Sequence, residues 1–184
     1  LFQPEPGPFV DLFVTSDVLE PWSGTVSWSL ETLEGEVLQA GRRQVTLDAL
    51  SADKVLSLDF EDEVDPTNER SVILVYELAQ DDERLSLGIL PFVPSKHLEL
   101  SDPELAVTVR ETSSGFEIEV SAKKLARFVW LTVDEVDEAF GAFSDNFFDL
   151  PTGRSVTVTL PSLDGWDVER LEAALRIRSL VDSY

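Results

Sequence analysis

The 184-residue sequence contains no cysteine, no methionine and a single histidine, His97. Without cysteine there are no disulfides, no thiolate metal sites and no cysteine nucleophile. One imidazole builds no histidine cluster for zinc and leaves little scope for general base chemistry by histidine. Basic residues are scarce as well: 14 Lys and Arg stand against 36 Asp and Glu, a formal net charge of −22. Such a surface repels phosphate backbones and anionic lipid, so neither nucleic acid nor a membrane is an expected partner. No run reaches the roughly 18 apolar residues of a membrane span. The opening Leu1-Phe2-Gln3-Pro4-Glu5-Pro6 has no basic stretch and no apolar core, unlike a signal peptide. Lacking an initiator methionine and rich in proline, it reads as a point inside something longer. The lack of cysteine points to a reducing compartment, the cytoplasm, with secretion left open because a signal would precede Leu1.

What the chain does have is alternation. Val26, Trp28 and Leu30 alternate with Ser27, Ser29 and Glu31, and Leu56, Leu58 and Phe60 with Ser57 and Asp59. Leu105, Val107 and Val109 repeat the pattern, as do Phe116, Ile118 and Val120, and Val156, Val158 and Leu160. A period of two predicts half-buried antiparallel strands with one face on a core. Val72-Ile73-Leu74-Val75-Tyr76 and Phe128-Val129-Trp130-Leu131 are apolar on both faces, which predicts central or covered strands. Helical patterning is confined to Asp167 through Ala174, with Asp167 as cap and Val168, Leu171 and Leu175 on one face.

Turn signals fall at Glu34-Gly35, Ala40-Gly41, Asp65-Pro66-Thr67-Asn68, Ser113-Ser114-Gly115 and Pro151-Thr152-Gly153. Short strands at this spacing predict an all-β fold of two tandem immunoglobulin-like antiparallel β-sandwiches, with about seven strands in the first and about six or seven in the second. Three prolines interrupt the alternation between Pro91 and Pro103. The expected domains are therefore residues 1–93 and 105–184, with residues 94–104 as linker.

Four segments carry a family resemblance. They are Val14-Thr15-Ser16-Asp17-Val18-Leu19-Glu20-Pro21-Trp22-Ser23-Gly24-Thr25, the linker from Phe92 to Leu105, Phe143-Ser144-Asp145-Asn146-Phe147-Phe148-Asp149-Leu150-Pro151, and the ending Leu175-Arg176-Ile177-Arg178-Ser179-Leu180. In this order they resemble the C-terminal immunoglobulin-like domains of family 2 glycoside hydrolases of the β-mannosidase type. The resemblance implies a parent enzyme that removes terminal non-reducing β-mannose with retention, through glutamates in an upstream barrel. It implies no cofactor and no catalytic residue in this chain. The partners it implies are that barrel, in the same polypeptide, and carbohydrate through the parent enzyme. An independent carbohydrate- or protein-binding module is the alternative.

Other constellations have ordinary explanations. Asn68-Glu69 reproduces the dipeptide that carries the acid/base in such barrels, yet it follows Asp65-Pro66-Thr67 in an acidic loop and reads as a solvated turn. Asp59, Glu61, Asp62, Glu63 and Asp65 lack the glycine and ligand spacing of a calcium loop. Trp28 is expected in the core, and Trp130 in a core or interdomain contact. Trp22 and Trp166 are the candidate exposed aromatics for sugar contact, with packing the favoured alternative. Ser144, Asp145, Asn146, Phe147 and Asp149 are read as a structural motif, Asp145 and Asn146 bracing backbone. The rings of Phe140, Phe143, Phe147 and Phe148 are expected to fill the sandwich. Arg110, Arg127, Arg154, Arg176 and Arg178 are expected to pair with carboxylates.

Overall fold

Alternating apolar residues become antiparallel strands in both halves of the computed structural model, which describes residues 8–81, 83–134, 136 and 142–183. The chain divides into two units, Leu1–Glu99 and Leu100–Tyr184. The division falls inside the expected linker, and both ends of that linker are folded. Ser95–His97 forms a turn of 3-10 helix, Arg70 Nε donates to the His97 carbonyl at 2.7 Å, and Glu99 N donates to Arg70 O. On the other side, the amides of Lys123 and Lys124 both donate to Pro103 O.

Among the described residues the first unit has six strands: β1 (Phe9–Thr15), β2 (Trp22–Thr32), β3 (Val37–Leu47), β4 (Ala52–Asp59), β5 (Val72–Gln80) and β6 (Glu83–Pro91). One sheet has the order β3-β2-β5-β6, and β1 pairs with β4 in the other. Alternate residues Val10, Leu12 and Val14 of β1 meet Val26, Leu30, Val45, Leu47, Val72 and Leu74 in the core between the sheets. Phe60 sits fully buried at its centre, with Trp28 and Phe92 edge-on at 5.7 and 6.0 Å between ring centroids. Trp28 is half-buried rather than enclosed.

Two details of this unit depart from the sequence pattern. Ala40-Gly41 is not a turn but the middle of β3, where Gly41 lies against the Trp28 ring. A Cβ there would come within 2.8 Å of Trp28 Cζ2, so the glycine serves close approach within a strand. Ser29 and Glu31, on the polar side of β2, are buried; Glu31 is only 1% exposed. They oppose Val75 and Ile73 on β5, also buried, so this side of the sheet is covered too. The Ser29 hydroxyl donates to Glu31 Oε1, as a buried carboxylate requires a donor.

The second unit contains β7 (Ala106–Thr112), β8 (Gly115–Ser121), β9 (Ala126–Val133), β10 (Phe148–Leu150), β11 (Ser155–Pro161), a short helix α1 (Val168–Ala174) and β12 (Leu175–Arg178). Its two sheets have the orders β11-β8-β7 and β10-β9-β12. Val109, Phe116, Ile118, Val120, Val129, Leu131, Val158 and Leu160 fill the space between them, closed at one side by Leu171 of α1. Asp167 caps the helix, its carboxylate accepting the Arg170 amide at 2.9 Å. The helix ends at Ala174, and Leu175 opens β12 and pairs with Val133. The β7–β8 hairpin turns through Ser113-Ser114, with Thr112 facing Gly115. Gly115 has φ +144 and leaves no room for a Cβ, which would lie 2.2 Å from Leu160 O. Among the described residues, no helix is long and apolar enough to cross a membrane.

Candidate functional site: the corner between β9, β10 and β11

The Ser144–Asp149 stretch lies where the chain passes from one sheet of the second unit to the other. Ser144 is tied to β11: its amide donates to Thr159 O, and its hydroxyl oxygen accepts from Thr159 N, both at 2.9 Å. Asn146 is tied to β9, in the opposite sheet. Its Oδ1 accepts Leu131 N at 2.8 Å and its Nδ2 donates to Leu131 O at 3.1 Å. Phe148 pairs with Val129, so continuing the register places Asn146 opposite Leu131. The side-chain amide thus presents to β9 the donor and acceptor that a strand backbone would have supplied. Asp145 acts locally, its Oδ1 accepting the Asn146 amide at 2.7 Å.

The backbone does not fill that place because Phe147 is left-handed, with φ +63. Its ring turns outward, 53% exposed, and stacks on Trp130 at 6.0 Å with the planes 25° apart. Phe147 therefore does not fill the sandwich; Phe143 and Phe148 do, and Phe140 lies outside the described residues. Trp130, half-buried, projects from β9 opposite to Val129 and Leu131, which point into the core.

One step further along, the pairing slips: Phe148 faces Val129 but Leu150 faces Ala126, leaving Arg127 and Phe128 opposite Asp149 alone. This is a β-bulge, with Phe128 at φ +50. Asp149 Oδ1 accepts the Phe128 amide at 3.1 Å and Arg127 Nε at 2.8 Å. Arg127 is 8% exposed and Asp149 21%, a largely dehydrated pair. The guanidinium also lies over the Phe128 ring, 4.6 Å from its centroid. The sequence showed Arg127 as one arginine among five; its burial follows from the bulge, which no residue pattern announces. Of the others, Arg176 pairs with Asp134 at 2.6 Å and Arg110 with Glu119 at 4.0 Å, both exposed.

The remaining candidates lie apart from this corner. Trp22 starts β2, donates from Nε1 to Gln80 Oε1 at 2.9 Å, and folds over Gly24, where a Cβ would meet the ring at 2.2 Å. Trp166 is half-buried against the core of the second unit with the Arg170 guanidinium 4.3 Å above its ring. Both rings are engaged with their own unit.

Asn68-Glu69 falls in the turn between β4 and β5. Asn68 Oδ1 accepts Asp65 N, Asn68 Nδ2 donates to Glu63 O, and Glu69 N donates to Asp65 O. The Thr67 hydroxyl and then its amide hold the Asp65 carboxyl below the ordinary value. The loop is braced by its own backbone and by the side chains of Asp65 and Asn68, and Gln39 of β3 donates to Glu63 Oε1 at 3.3 Å. Among the described residues, no three carboxylates or imidazoles gather in a way that could hold a metal ion.

Comparison with known proteins accounts for both units. Residues 10–97 match a family described as a mannosidase Ig/CBM-like domain, and residues 100–183 match one described as an Ig-fold domain, of the mannosidase type. The chain is 28% identical over 158 residues to β-mannosidase A of Aspergillus terreus (strain NIH 2624 / FGSC A1156), covering 79% of this chain and 17% of that protein. The crystal structure of β-D-mannosidase from Dictyoglomus thermophilum shares the fold with a TM-score of 0.81 at 18% identity, over 94% of this chain and 20% of that one. The chain thus spans about a fifth or less of the length of these relatives. The two matches together identify the chain as a pair of immunoglobulin-like domains of the β-mannosidase type.

Proposed function

We propose that this chain is a non-catalytic accessory region of a β-mannosidase that supports and positions a catalytic barrel elsewhere in a longer polypeptide. The parent enzyme is a retaining glycoside hydrolase of family 2 that acts on terminal non-reducing β-mannose. One observation carries the reading: two mannosidase-associated domains account for residues 10–97 and 100–183, while the relatives are about five times longer. Retaining hydrolysis needs two carboxyl groups about 5–5.5 Å apart across the scissile bond. The chemistry would come from glutamates of the barrel, and Glu69, whose amide donates to Asp65 O within a turn between strands, takes no part. The corner at Ser144–Asp149 serves by keeping the second unit rigid.

The test is hydrolysis of an aryl β-mannoside by the full-length gene product and by the 184-residue chain separately. Turnover by the former alone is the expected result. Turnover by the shorter chain, abolished by Glu69→Gln, would overturn the reading. A second reading, a carbohydrate-binding module, is favoured by the CBM-like description of the first domain. It expects the isolated chain to bind mannan oligosaccharides and to lose that binding in Trp22→Ala or Trp166→Ala.

A further inference from the structure

Half of the large apolar side chains exposed among the described residues lie along one edge of the first unit. Phe9 and Phe13 project from the outward side of β1, while Val10, Leu12 and Val14 point into the core. Beyond Thr15, which pairs with Ala52, the line continues onto two loops that carry Val18, Leu19 and Leu50. Each of these five side chains is more than half exposed. The loops are tied together rather than loose: Ser16 N donates to Ser51 O at 2.8 Å and Leu50 N to Val18 O at 3.1 Å. Leu50 is held left-handed, at φ +53. Ordered apolar surface of this extent marks an interaction site.

Its surroundings select the occupant. Asp11, Asp17, Glu20, Asp48, Asp53 and Asp59 border the seam, all exposed, with Lys54 as the cation among them. Asp11 accepts from the Ser57 hydroxyl at 2.6 Å and from Lys54 Nζ at 3.3 Å, and both hold its carboxyl below the ordinary value, so it stays ionised. A second copy would set carboxylates against carboxylates in a chain of net charge −22. Three of the five side chains, Val18, Leu19 and Leu50, have no flat π face on which a sugar ring stacks. An apolar protein surface bordered by lysine or arginine satisfies both features. The relatives extend well beyond this chain, which covers 17% and 20% of their lengths.

We propose that the Phe9–Phe13–Val18–Leu19–Leu50 seam is the docking face for the catalytic region of the same polypeptide, met through an apolar surface with a basic border. The proposal rests on the accessory-region reading above and adds the residues that make the contact. It is tested with Phe13→Asp combined with Leu19→Asp, made in the full-length gene product and in the 184-residue chain. In the full-length protein the midpoint of thermal inactivation should fall by about 2 °C or more. The isolated chain should melt unchanged, because both side chains are exposed in it. A second variant, Asp17→Lys with Glu20→Lys, should lower the full-length midpoint at low salt and much less at high salt.

An active full-length enzyme indifferent to both variants would overturn the seam and leave the accessory reading standing. An equal drop in the isolated chain would make the seam internal packing and overturn it as well. So would a concentration-dependent dimer of the isolated chain that Phe13→Asp abolishes, since the occupant would then be a second copy. A full-length product without mannosidase activity but destabilised by the variants would fail the functional reading while keeping a docking face. A gene encoding nothing beyond this chain would end both.

Discussion

In the first unit, β2 and β3 each run for 11 residues, and β2 is paired along both of its edges. In the second, β10 is three residues long and meets β9 at two positions on either side of a bulge. The hydrogen bonds that long strands supply from backbone are supplied here by side chains: Ser144 to β11, Asn146 to Leu131, and Asp149 to Arg127 and Phe128. Backbone pairing tolerates substitution, because every residue except proline carries the same donor and acceptor. Side-chain pairing does not. The comparison therefore teaches where each unit is vulnerable: the second at named polar residues, the first at points of packing.

The largest expected effect is at Asp149. Asp149→Ala removes the acceptor of the Phe128 amide and a partner of the buried Arg127, and should destabilise the second unit by about 3 kcal/mol. Hydrogen exchange of β9 amides would show it; unchanged protection would break the comparison. Asn146→Ala strands both polar groups of Leu131 and should cost about 2 kcal/mol, read as a lower melting temperature. Asn146→Asp, which keeps the acceptor and loses the donor, should fall between.

For the first unit the sensitive point is apolar. Gly41→Ala drives a methyl into the Trp28 ring and should cost about 1 kcal/mol, with a change in tryptophan emission. If Gly41→Ala outweighs Asn146→Ala, the contrast between the units is wrong in sign. The smallest effect belongs to Asp65. Its carboxyl is held below its ordinary value by Thr67, so it helps the folded state above the unfolded value near 3.8 and loses that contribution as pH falls through the lower folded value. A carbon NMR titration should place its midpoint below 3.8, and Thr67→Val should move it upward.

Much of this fold was legible because a period of two with polar interruptions has one physical meaning, a strand with one wet face. The alternations at Val26, Phe116 and Val156 became β2, β8 and β11, and Asp167 was readable as a helix cap by its chemistry. The candidate corner was visible only as a cluster of residues that bond backbone. Its partners, Leu131 and Thr159, lie 15 residues away, and nothing local pointed to either. Gly41 misled for a similar reason. A glycine that makes room for a ring from the neighbouring strand looks, in sequence, like a glycine that turns.

Local chemistry alone determined the all-β class, the division near the proline-rich stretch, the acidic surface and the lack of thiol and histidine-cluster chemistry. Each of these follows from composition or from neighbours a few residues apart. Tertiary structure decided which apolar residues stay exposed and which polar residues are buried. Phe147 points outward because its backbone turns left-handed at φ +63, and Glu31 and Arg127 are enclosed despite their charge. Both outcomes depend on pairing between strands distant in sequence, where register assigns each side chain a face and a one-residue bulge reassigns it.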